Sequence, residues 1–283
     1  MSRWARAALV LVVLTVGATA VVYGVTVSDW RHTDTCKPPD DAYARMILSD
    51  GAIGYWRLNE TTGRTAQNAA PLGEAGKYVG RHMLNEPGVF PDDTAIELHG
   101  TGQYVAIPTY TPYQNLSNWS VEAWVNPAAP TSKGADIAFL AHAWDSSSIP
   151  FVLGYGSFNA SYSDARHAWT GFYRSFVGTW SRKGEVTGRW SRVADSIVLP
   201  TNSWTHLTGT YDGAMLRLYK NGRLVNETAA TENDLVAGDV PLYIGSRWWL
   251  GAQHFFSGSV DEVALYPVAL TPDQIENHYE CAT

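Results

Sequence analysis

Beyond residue 42 the chain alternates apolar and polar residues in short runs, each broken by Gly, Pro, Asn or Asp. Alternation with period two puts successive side chains on opposite faces of an extended backbone, so each run reads as a half-buried β-strand. "GYWRLNETTG" is a strand running into a turn, and "DTAIELHGTGQYVAIP" alternates on both sides of a glycine turn. In "WSVEAWVNP" the alternation places Trp119, Val121, Ala123 and Val125 on one face. The clearest stretch is "WTHLTGTYDGAMLRLYKNGRLVNE", where Asp212-Gly213 and Asn221-Gly222 separate alternating segments and predict consecutive hairpins. "VPLYIGS" and "GSVDEVALYP" supply two more strands. One helix is well signalled beyond the N-terminus: Thr271 as N-cap, Pro272 at the first helical position, and Gln274 at capping-box spacing ahead of "IENHY". Many short antiparallel strands with one small C-terminal helix imply an all-β sandwich. There is no sign of a second domain or a tandem repeat.

The N-terminus follows another pattern. No charge interrupts the run from Ala7 to Val27, which is long enough to cross a bilayer as a single helix. Ala18-Thr19-Ala20, behind Arg3 and Arg6, resembles a signal-peptidase site, but the apolar run continues past it and favours a retained anchor. The expected organisation is a cytoplasmic stub and transmembrane helix over residues 1–27, a polar stalk over 28–42, and one domain over 43–283. Arg3 and Arg6 before the span are nearly balanced by Arg31 and Lys37 after it, so basic residues leave the orientation open. Cys36 and Cys281, the two cysteines, bracket the body of the chain. They are either two unrelated thiols or the ends of one disulfide, and their placement favours the bridge, which requires an oxidising compartment. The main domain is therefore expected outside the cytoplasm, in the periplasm or at the cell surface.

The segments "YWRLNETTG", "AIELHGTGQYVAIP", "WSVEAWVNP", "WTHLTGTYDGAMLRLYKNGRLV", "LYIGS" and "FSGSVDEVALYPVALTPDQIENHY", in that order, resemble a laminin-G-like or concanavalin A-like jelly roll, in particular the bacterial LamG-like domains. The resemblance covers most of residues 43–280. It implies two curved antiparallel sheets with adjacent chain ends, which agrees with a Cys36–Cys281 bridge. It also implies binding of carbohydrate, protein or lipid at a rim or concave face, often with a structural calcium ion; some relatives on the broader fold are glycosidases. The chain departs from the pattern between "WVNP" and "WTHL", where residues 136–197 are crowded with aromatic and basic side chains.

Composition narrows the chemistry. Twelve Trp and fifteen Tyr with only 17% charged residues suit pleated, half-buried surfaces. A formal net charge of −7 without a basic tract excludes nucleic acid as the main partner. Glycoside hydrolysis needs two carboxyl groups facing one bond, ~5–9.5 Å apart. Asp261 and Glu262 are adjacent, so in a regular strand they point to opposite faces, and Glu122 has no acidic neighbour at suitable spacing. The Glu-X-Asp-X-X-Glu arrangement of laminarinase-type enzymes and the Gly-X-Ser-X-Gly nucleophile motif are both missing, and the cysteines read as structural. The eight histidines show no His-X-His or His-Glu-X-X-His spacing for zinc. Calcium takes scattered oxygen ligands; the resemblance points to Glu60 and Asp261, with carbonyls around His99 and Gly100. The alternative for Asp261 is a buried carboxylate accepting backbone hydrogen bonds.

The residues expected to bind a ligand or partner are Trp144, Trp169, Tyr173, Arg174, Trp180, Arg182 and Trp190 in the aromatic segment, with Trp248 and Trp249 in "SRWWLGAQHFF". Indole and phenol rings stack on sugars and dominate protein interfaces, and Arg holds hydroxyls and carboxylates. Phe151, Phe172 and Phe176 are expected in the core instead. The sequence thus points to a non-catalytic, membrane-anchored module recognising a glycan or cell-surface component. An accessory subunit packing on partners in a larger membrane complex is the alternative, and a glycoside hydrolase the weaker one.

Overall fold

A computed structural model describes residues 11–16, 19–24, 41–108, 111–113, 116–128, 135–142, 148–156, 174–181, 189–230, 241–248 and 252–283. Two antiparallel sheets of eight strands each form the body. The first runs, in spatial order, through Arg189–Val198, Arg174–Ser181, Ser148–Gly156, Ala135–His142, Leu242–Ile244, Tyr104–Ile107, Gly76–Val79 and Thr65–Ala66. The second runs through Arg223–Ala229, Met215–Lys220, Thr205–Tyr211, Trp119–Pro127, Ser257–Tyr266, Thr94–His99 and Met83–Pro87, with Gly54–Trp56 also paired to Ser257–Tyr266. The expected two-sheet antiparallel architecture is the observed one.

Alternation explains how the sheets meet. Trp119, Val121, Ala123 and Val125 enter one buried cluster with Val105, Ile107, Phe151, Leu153, Leu242 and Ile244 of the first sheet. Phe151 is core, as its sequence neighbourhood suggests. On the opposite face of the second sheet lies a smaller cluster built from Trp124, Tyr219, Ala264 and Tyr266. Two helices cover it. The helix Asp41–Ser49 contributes Tyr43 and Ile47, one turn apart, and the helix Pro272–Cys281 contributes Ile275. The central strands are consequently covered on both sides: all seven residues of Thr205–Tyr211 and the last seven of Ser257–Tyr266 are buried.

The C-terminal helix starts where its caps predict. Thr271 Oγ1 accepts from Gln274 N, and the Gln274 side chain accepts from Thr271 N, a complete capping box with Pro272 at the start. The N-terminal helix was not expected; it begins inside the segment read as stalk, because Pro38-Pro39-Asp40 mask a short run of good helix formers. The aromatic segment extends the first sheet with four successive antiparallel strands, Ala135–His142 to Arg189–Val198.

The apolar N-terminal run, expected as a helix, is described as a hairpin, with Leu11 opposite Gly24 and Val16 opposite Thr19. Its density of Val and Thr accounts for the difference, since β-branched side chains favour extended backbone. No helix among the described residues is long and apolar enough to cross a membrane.

Close approach between two central strands fixes Gly258, which pairs with both Leu98 and Pro127. Its φ is +136°, and a Cβ there would lie 2.3 Å from Asn126 O and 2.8 Å from Ala128 N, both backbone atoms. Gly258→Ala is expected to cost about 2–3 kcal/mol through strain at a forbidden conformation. Urea denaturation measures this; a cost near zero would mean that the two strands part freely at this point.

Candidate functional site

Ser120, Glu122 and Trp124 alternate with the core-facing residues of Trp119–Pro127 and therefore point toward the helical cap. Ser120 Oγ donates to Val268 O and accepts from Leu270 N, both at 2.8 Å, which docks the segment leading into the last helix. Glu122 is fully buried, and three side chains converge on it. Tyr266 donates its hydroxyl to Oε1 at 2.6 Å. His278 Nδ1 lies 3.0–3.1 Å from the two carboxylate oxygens, and His206 Nε2 lies 3.3 Å from Oε2. The other His278 nitrogen, Nε2, reaches Asp50 Oδ2 at 2.8 Å, just beyond the N-terminal helix. One imidazole therefore bridges the first helix, the central sheet and the last helix.

Burial alone would raise the Glu122 carboxyl, but the charge and hydrogen bonds of His278 and His206 outweigh it and hold Glu122 well below the usual carboxylate range. Burial also opposes charge on His278, yet Glu122 and Asp50 lift it to about 9. The buried imidazolium–carboxylate pair is thus formed at neutral pH.

A second buried group lies in the strand Ser257–Tyr266. Asp261 and Glu262 were expected on opposite faces. They are not, because the pairing with Trp119–Pro127 shifts register between Asp261 and Ala264, and Glu262 adopts a φ of +51°. Such a bulge re-aims a side chain. It brings ligand oxygens of Asp93, Asp261 and Glu262 within 4.8 Å of one another, all three residues buried. Arg57 donates through Nε to Glu262 Oε1 at 3.1 Å and through Nη2 to Asp93 Oδ2 at 3.3 Å. Tyr55 donates its hydroxyl to Glu262 Oε2. Val89 N donates to Asp261 Oδ2 at 2.9 Å, and Gly88 leaves the room for this, since a Cβ there would lie 2.9 Å from the same oxygen. Asp261 Oδ1 has no hydrogen-bond partner among the described residues.

The electrostatics of this group are unbalanced. One guanidinium faces three carboxylates, leaving two negative charges if all ionise. Burial raises Glu262 to about 8 against the pull of Arg57 and Tyr55, and burial with Glu262 and Asp93 nearby raises Asp261 well above its ordinary value. Protons or an oxygen-ligated cation can relieve the excess. Asp93, Asp261 and Glu262 are the described residues able to hold such a cation.

Glu60 is not part of this group. Its carboxylate accepts from Gln67 N at 2.6 Å and from the Tyr78 hydroxyl at 2.5 Å. The "LHGTG" turn is closed by Gln103, whose Oε1 accepts from His99 N and Thr101 N at 3.2 Å. Asp93 and Arg57 escaped sequence reasoning because they lie far from Asp261 along the chain; no motif marks Asp93, and "YWRLNETTG" drew attention to Glu60 instead. Of the expected ligand-binding residues, Trp180 and Trp190 are register partners on adjacent strands, and Arg174 pairs with Val198. Trp248 lies on the short strand Arg247–Trp248, paired with Ala252–Gln253. Trp144, Trp169, Tyr173, Arg182 and Trp249 lie outside the described residues, as does Cys36. Cys281 is disulfide-bonded.

Residues 99–276 match the family model of the concanavalin A-like lectin/glucanases superfamily. No curated protein matches the sequence. Among solved structures, the fold is similar to domain 4 of AbnA, a GH43 extracellular arabinanase from Geobacillus stearothermophilus, in complex with arabinotriose. The TM-score is 0.58 and the identity 19%, over 81% of this chain and 98% of that one. It is also similar to the binding domain of botulinum neurotoxin DC in complex with rat synaptotagmin II (TM-score 0.57, 12% identity), over 83% of this chain and 52% of that one. A third neighbour is a Trypanosoma rangeli sialidase (TM-score 0.53, 12% identity), covering 81% of this chain and 32% of that one. At these identities the likeness is one of fold.

The Glu122–His278 pair predicts a pH profile. The raised His278 value contributes stability that is complete below its ordinary 6.5 and is lost as pH rises through about 9. The depressed Glu122 value contributes stability present above 4.5 and lost as pH falls further. Urea denaturation should show a loss of about 3 kcal/mol between pH 6 and pH 10 from His278. His278→Leu should flatten this alkaline loss while lowering stability at pH 6 by about 3–5 kcal/mol, because it leaves Glu122 with a weakened partner set. An unchanged alkaline slope in His278→Leu would assign the titration to another group.

Proposed function

Given that the chain belongs to the concanavalin A-like lectin/glucanases superfamily, we propose that it is a non-catalytic binding module, tethered to a membrane and displayed outside the cytoplasm, which recognises a glycan or cell-surface component. The observation that carries this reading is the burial of the three acids weighed as hydrolytic candidates in the sequence. Glu122, Asp261 and Glu262 are each 0% exposed and are held by His278, Arg57, Tyr55, Tyr266 and backbone donors under the helical cap. A hydrolytic pair must reach a sugar bond from both sides; these carboxylates face the protein interior.

The tether rests on the uncharged run Ala7–Val27. In lipid a two-stranded hairpin would leave unpaired backbone edges, whereas a helix satisfies every N–H and C=O within itself. A Cys36–Cys281 bridge would tie the stalk to the last helix. The binding surface is assigned to the aromatic segment, where Trp180 and Trp190 are paired in register, and to Trp248 and Trp249. On a glycan array the full chain should bind saccharide, and Trp180→Ala with Trp190→Ala should weaken it about tenfold or more. Absence of saccharide binding, with and without calcium, would overturn the reading.

Calcium is assigned to Asp93, Asp261 and Glu262. Their oxygen-only ligand set, excess negative charge and the unpartnered Asp261 Oδ1 fit that ion. It would balance the buried charge and stiffen the loop before Asp93 against the last strand. Calcium at a hundredfold excess over its Kd should stabilise the chain by about 2.7 kcal/mol. Asp261→Asn should abolish that response and Glu60→Gln should leave it intact; the opposite pattern in thermal denaturation would return the site to Glu60.

A further inference from the structure

The edge of the first sheet carries a second constellation. The loop holding Gly63 and Arg64 and the turn Gly80–His82 line an open cleft of about 420 Å³, a size within the ~300–1,000 Å³ range of small-ligand sites. Its walls are held in place. Tyr78 N donates to Arg64 O at 3.0 Å, joining the two sides. The His82 ring stacks on Tyr78 with centroids 4.7 Å apart, and its Nδ1 lies 3.2 Å from Gly80 O. Tyr78 is in turn fixed by its hydrogen bond to Glu60.

The guanidinium groups of this cleft are not ion-paired. Arg64 and Arg81 are both exposed, and neither has an ion-pair partner among the described residues. Glu60, the nearby carboxylate, bonds to Gln67 N and the Tyr78 hydroxyl and to neither arginine, and offsets one of the positive charges. Lys77, opposite Thr65 on the same sheet edge, adds a further exposed cation. In a chain of net charge −7 this is a local inversion of sign. Two guanidinium groups beside a fixed imidazole offer planar donor forks matched to oxyanions.

We propose that the Arg64–Arg81–His82 cleft binds the oxyanion groups of an acidic saccharide, uronate carboxylates or sulfate esters. The proposal rests on the glycan-binding reading above and names the ligand class. A saccharide is favoured over a lipid headgroup because none of the lining residues, Gly63, Arg64, Gly80, Arg81 and His82, offers a large apolar side chain to enter a bilayer.

The test uses the full chain in neutral detergent, titrated with oligogalacturonate, dextran sulfate and neutral dextran, and floated with phosphatidylglycerol vesicles. At least one charged saccharide should bind, more weakly as salt rises. Arg64→Gln with Arg81→Gln should weaken it about tenfold or more. Arg45→Gln with Arg223→Gln, which removes two exposed and likewise unpaired cations elsewhere, should leave it nearly unchanged. Equal losses in the two double variants would reduce the effect to net charge and overturn the proposal. Vesicle binding that depends on Arg64 and Arg81, without binding of a charged saccharide, would overturn it in favour of lipid. If neutral dextran binds and the charged polymers do not, the glycan reading stands and the cleft proposal falls; if no saccharide binds, both fall.

Discussion

A strand covered on both faces has no water to satisfy its polar groups, and this fold threads three carboxylates through that position. Glu122 on Trp119–Pro127, with Asp261 and Glu262 on Ser257–Tyr266, sits between the intersheet core and the helical cap. Each must therefore find its partners inside the protein, because an unpaired buried charge costs several kcal/mol. The partners come from the whole length of the chain: Tyr55, Arg57, Val89 N, His206, Tyr266 and His278, with Arg57 and His278 tied in turn to Asp93 and Asp50. Meeting that requirement fixes how both helices and the Val89–Asp93 segment pack on the second sheet. The same enclosure turns these acids toward the protein interior, where they hold the layers together.

Much of this architecture was legible because it is local. Alternation in "WSVEAWVNP" assigned four side chains to the core, and Thr271, Pro272 and Gln274 predicted the start of the last helix. Signals failed where structure depends on distant pairing. Period-two reasoning separated Asp261 from Glu262, but a bulge against Trp119–Pro127 rejoined them, and one extra residue in a strand leaves no mark in composition. Asp93 was invisible for the same reason: its place beside Asp261 is made by folding. The short helix Asp41–Ser49 was hidden by the prolines and aspartates in front of it, although Tyr43 and Ile47 have helical spacing.

The two layers divide their tasks. The second sheet carries the buried charge networks and the helices, and its central strands Trp119–Pro127, Thr205–Tyr211 and Ser257–Tyr266 are buried on both faces. The first sheet carries the aromatic strands at one edge and the basic cleft at the other. Function in such folds resides in what is grafted on the frame, so a chemically saturated layer leaves the other to vary.

His278 also has a mechanical meaning. By holding Glu122 with one nitrogen and Asp50 with the other, it clamps the helix at which the chain enters the domain to the helix at which it ends. Parting the two helices would take both contacts of one imidazole at once. The two layers of the cap are thus closed on each other through a single side chain, as a clasp closes a ring.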